Sequence, residues 1–231
     1  MRVAILQPSY IPWRGYFPLV KKSDLFVFYD CVQYDKHGWR NRNIIKTSQG
    51  NQWLTVPVHT ADSVASGRAI RDIAIAWKSA WTEKHKKSIR QNYSKCPHFH
   101  TYEPLLEEIY NRKDEKLADF TCGTLEIIAR ALGITQTRFL RSSTLHVEGA
   151  KTDRLVHILK QVGATCYLSG PSAKEYLEAD KLKKAGVDLE FMEYDYPNYP
   201  QINGPFSPHV SILDLIFNVG PDAPRYIWQT K

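Results

Sequence analysis

No run of apolar residues in this 231-residue chain approaches the roughly 20 needed to cross a bilayer; runs such as Val3–Leu6 and Leu25–Tyr29 hold four and five. The opening residues Met1–Pro8 lack the basic segment, long apolar stretch and small-residue cleavage site of a secretory leader, so the sequence reads as cytoplasmic with no membrane span. Four cysteines (Cys31, Cys96, Cys122, Cys166) lie far apart with no C-x-x-C, which argues against a disulfide framework and a cysteine-rich zinc site. Cys96-x-His98-x-His100 lacks a second cluster at ligand spacing, so no metal is expected. Also missing are G-x-x-x-x-G-K-[ST], G-x-G-x-x-G, H-E-x-x-H and G-x-S-x-G, which removes the usual support for P-loop, dinucleotide, zincin and serine-hydrolase readings. There is no internal repeat and no low-complexity tract.

What remains is 43% hydrophobic and 12% aromatic, the make-up of a globular protein with a sizeable core. The formal charge of +7 is uneven: residues 36–95 hold 12 basic and 3 acidic side chains, whereas 151–231 hold 9 and 10. Such a field attracts polyanions or phosphate-bearing small molecules. From Lys78 to Lys95 the lysines oppose a stripe of Trp77, Trp81, Ile89 and Tyr93, so that stretch reads as an amphipathic helix with a solvated face.

Short apolar runs predict strands at Val3–Leu6, Leu25–Tyr29, Arg138–Leu140, Ala164–Leu168 and Asp188–Met192, with an edge strand at Gln52–Val58. Between them, helices are predicted from Phe17 to Lys22, from an Asp114 cap through Leu117 and Leu132 to Gly133, from Thr152 to Gly163, and from a Ser172/Glu175 capping box to Gly186. A last helix is expected over His209–Asn218, and the small polar stretch 60–69 reads as a mobile loop. The alternation argues for an α/β fold: a largely parallel sheet flanked by helices, nucleotidyltransferase- or Rossmann-like, with a helical insertion. One domain over 1–231 is expected, with a helical sub-lobe at about 77–133. Ligands of such sheets bind beyond the carboxyl ends of the strands, where strand order reverses.

Three strand ends carry candidate chemistry. The first strand discharges into Gln7-Pro8-Ser9-Tyr10-Ile11-Pro12-Trp13-Arg14-Gly15-Tyr16-Phe17, a stiff loop whose Tyr10 and Trp13 can stack a base or sugar while Gln7 supplies a polar tip. The alternative is an aromatic mini-core tying the turn to the sheet, against which Gln7 at a strand's carboxyl end favours a site. The second delivers Asp30, Cys31 and Gln33, followed by Trp39, Asn41, Arg42 and Asn43, a guanidinium fork between two amides that suits phosphate or carboxylate. The third, Ser169-Gly170-Pro171-Ser172-Ala173-Lys174, is a strand–turn–helix junction able to hold an anion.

The N-terminal motif Gln7-Pro8-x-Tyr10-x-Pro12-Trp13-x-Gly15-Tyr16-Phe17, followed by Asp30-x-x-Gln33, Trp39-x-Asn41-Arg42-Asn43, Trp53–Val58 and Tyr167-Leu168-Ser169-Gly170, resembles the WbqC-like family over nearly the whole chain. The family often has a second acidic residue where this chain has Cys31, which counts against a paired carboxylate. The resemblance implies a place among bacterial proteins of O-antigen and surface-polysaccharide synthesis, with an acyl or aminoacyl (glycine-type) transferase role on an amino sugar. It also implies likeness to nucleotidyltransferase folds, whose histidine signature is absent here.

Three expectations follow. As a transferase, the chain would use Asp30 as general base with Gln7 beside it, and bind a nucleotide-linked amino sugar through Tyr10, Trp13, Gln33, Trp39, Asn41, Arg42, Asn43, Ser169, Gly170 and Lys174. Cys31 is a conceivable nucleophile. The alternatives are an ATP-dependent ligase of nucleotidyltransferase type and a nucleic-acid-binding module, with tRNA as the partner. No cofactor is named by the residues.

Overall fold

The structure, a computed structural model, describes residues 1–59 and 67–228; most of the predicted 60–69 loop therefore lies outside the described residues. The elements run β1 (Arg2–Leu6), α1 (Phe17–Lys21), β2 (Leu25–Phe28), β3 (Arg42–Thr47), β4 (Gly50–Thr55), α2 (Trp81–Tyr93) and α3 (Phe99–Tyr110). They continue as α4 (Leu117–Ala131), β5 (Arg138–Arg141), α5 (Lys151–Gln161), β6 (Cys166–Ser169), α6 (Ala179–Lys184), β7 (Asp188–Phe191) and α7 (Ile212–Val219). Five strands form one parallel sheet in the order β5-β2-β1-β6-β7, and β3 and β4 form a separate antiparallel pair.

The inner strands β1, β2 and β6 are largely apolar at both parities, whereas the edge strands β5 (Arg138–Arg141) and β7 (Asp188–Phe191) also carry charged residues. Val3, Ile5, Leu25 and Val27 point to one face, packing with Leu155, Ile158 and Leu159 of α5 and Leu182 of α6. Ala4, Phe26 and Phe28 point to the other face, joining the core of α1, α2, α3, α4 and α7. A sheet covered on both sides selects against polar residues at either parity. Among the described residues no helix is long and apolar enough to cross a membrane.

Several predicted boundaries change. β3 was expected as a polar loop; its Asn43 and Lys46 are buried and bonded rather than solvated. α3 was not anticipated, its pattern broken by Pro104. Asp114 does not cap α4, since it pairs with Arg112 Nε at 2.8 Å and Lys116 stands at the helix entry. The Ser172/Glu175 box opens only a 3₁₀ turn, Pro171–Glu175, and α6 starts later at Ala179. The last helix starts at Ile212, with Ser211 Oγ accepting from Leu213 N at 3.3 Å. On α2, Lys86 pairs with Glu83 and Glu107, and Arg90 with Glu103 and Glu107, so α3 supplies carboxylates to two of the six basic residues from Lys78 to Lys95.

Candidate functional site

The chain runs outward from β1 through β2 to β5, then returns to lay β6 on the other side of β1. Strand order therefore reverses between β1 and β6, the point where an open α/β sheet leaves a ligand crevice beyond its carboxyl ends. A crevice of 610 Å³ lies there, lined by Leu6 and Gln7 from the end of β1, Tyr29 from β2 and Gly170 from β6.

The loop after β1 forms one wall. Ile11 is held at φ 34°, an uncommon conformation for a β-branched residue that precedes a proline. What keeps it there is Asn43 Nδ2, which donates to the carbonyls of Tyr10 and Ile11 at 3.0 and 2.9 Å, while Tyr10 N donates to Trp39 O at 3.1 Å. Trp13 lies edge-on to Tyr194 at 5.4 Å between ring centroids and 6.2 Å from His209. Gly15 is required: a Cβ there would stand 2.2 Å from the Trp13 ring, so any side chain would displace the indole from the crevice wall. Tyr16 OH donates to Gln7 O at 3.0 Å, fixing the backbone from which the Gln7 amide enters the crevice.

The opposite wall comes from α5 and the turn after β6. Lys151, at φ 49°, and Leu155 border the crevice with Pro171, Ser172 and Tyr176. Arg40, whose Nε pairs with Asp35 Oδ1 at 3.5 Å, and Lys151 bring positive charge, His209 an imidazole, and no carboxylate is among the lining residues. Burial lowers the Arg40 pKa from its ordinary value, and a guanidinium keeps its charge in proteins. Burial also pushes Tyr29 and Tyr194 up to about 12 and raises Tyr167 and Tyr176. These phenols are neutral hydroxyls around pH 7, able to donate hydrogen bonds. A cationic, donor-rich and aromatic lining suits an anionic ligand that carries a flat or sugar ring.

Of the residues singled out in the sequence, Gln7, Trp13, Trp39, Asn43 and Gly170 border this crevice. Asp30 does not. It is fully buried, and its oxygens accept from Arg141 Nε at 2.7 Å, Ser142 Oγ at 2.9 Å, Ser143 N at 2.9 Å and Ser143 Oγ at 2.7 Å. A carboxylate so occupied ties the end of β2 to the end of β5 and cannot reach a substrate amine, which corrects its reading as general base. Tyr10 is buried, its hydroxyl shared with His85 Nδ1 at 2.9 Å and with Tyr110 OH. Asn41 Nδ2 donates to Val56 O at 2.8 Å, and Gln33 bridges to Ala69. Arg42 is turned to the hairpin, where it caps the Trp53 ring at 4.3 Å and donates to His37 O. Ser169 Oγ lies 3.4 Å from Tyr167 OH, and Lys174 Nζ lies 5.2 Å over Phe191. None of these six is among the lining residues.

Sequence reading missed Arg40, Lys151, Tyr194 and His209. The first lies in the basic segment 36–95 without being selected; Tyr194 and His209 belong to a stretch outside the sheet strands and α-helices whose position no periodicity reveals. Cys96, His98 and His100 hold no metal geometry: Cys96 Sγ donates to Asn218 Oδ1 at 3.6 Å, and among the described residues no group of three metal-ligating side chains is assembled.

The sequence profile of the WbqC-like protein family matches residues 7–226. The chain is 41% identical over 228 residues to the uncharacterized protein Rv1507c of Mycobacterium tuberculosis, an alignment covering 98% of this chain and 97% of the relative. No solved structure matches the chain significantly.

Proposed function

The chain belongs to the WbqC-like protein family, and we propose that it is a cytoplasmic acyl or aminoacyl transferase acting on a nucleotide-linked amino sugar. Family membership suggests a role related to O-antigen or polysaccharide biosynthesis. The finer reading rests on one observation: a crevice at the β1/β6 reversal lined by Arg40 and Lys151 under aromatic faces, with no carboxylate in the lining.

In this reading Arg40 and Lys151 bind the diphosphate, and Trp13 or Tyr176 packs against the sugar or base. His209 takes the role first expected of Asp30. As the sugar amine attacks the carbonyl carbon of an activated acyl donor, a C–N bond forms, the bond to the donor's leaving group breaks with its electron pair, and the amine proton passes to the imidazole. The Gln7 amide is positioned to donate to the carbonyl oxygen as it gains charge.

Isothermal titration with a UDP-linked amino sugar is expected to give micromolar binding that weakens about tenfold in Lys151→Ala, the loss of one charge-assisted contact. His209→Ala is expected to keep that affinity and lose turnover. Binding of ATP with magnesium, and none of the nucleotide sugar, would replace this reading with the ATP-dependent ligase.

A further inference from the structure

The carboxyl edge of the sheet carries a second hollow, of 260 Å³, beside the ends of β2 and β5. Its polar lining is Cys31, Arg71, Ser142, His146 and Arg154, again without a carboxylate. The surrounding acids are engaged: Asp30 by Arg141 and the two serines, Glu148 Oε1 by His146 Nε2 at 2.7 Å, and Asp72 with Arg71 Nε at 3.8 Å. Ser142, fully buried, is set by Asp30, and its Oγ accepts from Cys31 N at 3.3 Å. Arg154 Nε donates to Gly149 O at 2.8 Å, which turns the guanidinium back along the entry of α5.

We propose that this hollow is a phosphate-binding subsite. Two guanidiniums and an imidazole, Arg71 and His146 each with one carboxylate beside it, line a volume below the ~300–1,000 Å³ of ordinary small-molecule pockets, which fits a compact anion better than a nucleoside. It also adjoins the crevice. Arg154 hydrogen-bonds Tyr29, which lines the crevice, and Arg154 and Lys151 leave the first turn of α5 toward the two hollows respectively. A transferase needs places for two substrates. Resting on the reading of the crevice as the acceptor site, the subsite takes the phosphate of the activated donor. Asp30 then acts as a positioning residue that shapes the floor through Ser142.

Cys31 is a native reporter inside the hollow, and Cys166, half-buried on β6, is the internal control. Alkylation is followed peptide by peptide in the full chain, with pyrophosphate as the probe. Millimolar pyrophosphate is expected to slow labelling of Cys31 by iodoacetamide several-fold, leave Cys166 unchanged, and lose its effect in Arg71→Ala. Without any variant, anionic iodoacetate should be favoured over neutral iodoacetamide at Cys31 relative to Cys166, because the local field attracts it. Absence of protection, or equal protection in Arg71→Ala, would overturn the subsite. Titrating the nucleotide sugar in parallel separates the two readings. Crevice binding without protection at Cys31 removes only the subsite, whereas protection without crevice binding removes only the acceptor assignment.

Discussion

Asp30 shows how one residue type at one strand end can serve two opposite purposes. A carboxylate leaving a β-strand beside a glutamine is what a general base looks like in a sequence; four donors on its two oxygens make it a clasp between strands instead. In Asp30→Asn an amide N–H would oppose the Arg141 guanidinium, donor against donor. The variant is expected to lose about 3 kcal/mol of stability, the scale for breaking a buried, hydrogen-bonded charge pair. Urea unfolding checks this, and a wild-type midpoint would show that the carboxylate holds nothing. Asn43 has a similar history: it was singled out as a ligand-binding amide, and it borders the crevice, but its donors are spent on the Tyr10 and Ile11 carbonyls. A single sequence names the polar residue and its strand end; it does not say whether the side chain turns toward ligand or toward backbone.

Among the elements, those with simple burial were legible. β1, β2 and β6 are short, mostly apolar runs because helices cover both faces of the sheet, the edge strands β5 and β7 keep two apolar residues each among charged ones, and α4 and α5 carry helical periodicity with glycine stops. β3 was hidden because Lys46, which a sequence reading puts in water, is buried with its Nζ donating to Gln201 Oε1 and the carbonyls of Gly204 and Pro205. α2, α3 and the loop after β1 are joined by a polar knot, Tyr10 with His85 and Tyr110, set among Trp81 and Phe120. Burial lowers the His85 imidazole from 6.5 to about 4. Between those values the unfolded chain binds a proton that the folded chain refuses, so acidification costs stability, by up to ~3 kcal/mol once pH has fallen to about 4. His85→Gln should flatten that part of the profile in urea midpoints taken from about pH 7 down to about pH 4. Asp214, raised by burial, binds its proton more readily when folded and so works in the opposite direction, but it is common to both proteins and drops out of the difference. Parallel profiles for variant and wild type would mean that His85 is not held neutral.

At the scale of the molecule, the N-terminal wall of the crevice was readable from its prolines and aromatics, whereas the other side was not. Tyr194 and His209 arrive there on a segment that no local pattern places; a bridge from Trp13 to Ser211 and the Ile212 N to Pro12 O bond at 2.9 Å bring it in. Arg14 fastens the same segment, donating to Pro197 O at 2.7 Å and Tyr226 O at 3.3 Å with Tyr196 and Tyr199 rings about its guanidinium. Arg14→Ala is expected to speed hydrogen exchange across 194–209 and weaken nucleotide-sugar binding, with β2 and β5 exchanging as before. Unchanged exchange in that segment would show that the aromatic packing alone retains it.

Because β1 lies at the centre of the sheet, its two neighbours are made at very different times. Residues of β2 emerge soon after it, whereas Cys166 and Leu168, which pair with Arg2 and Ala4, come far later, and His209 later still. A nascent polypeptide that has emerged only as far as β5 thus carries Gln7 and Trp13 without the wall that completes the cavity, and cannot sequester substrate before His209 has been made. Long-range closure of this kind is slow, and it makes ligand capture a faithful report that the whole fold has formed.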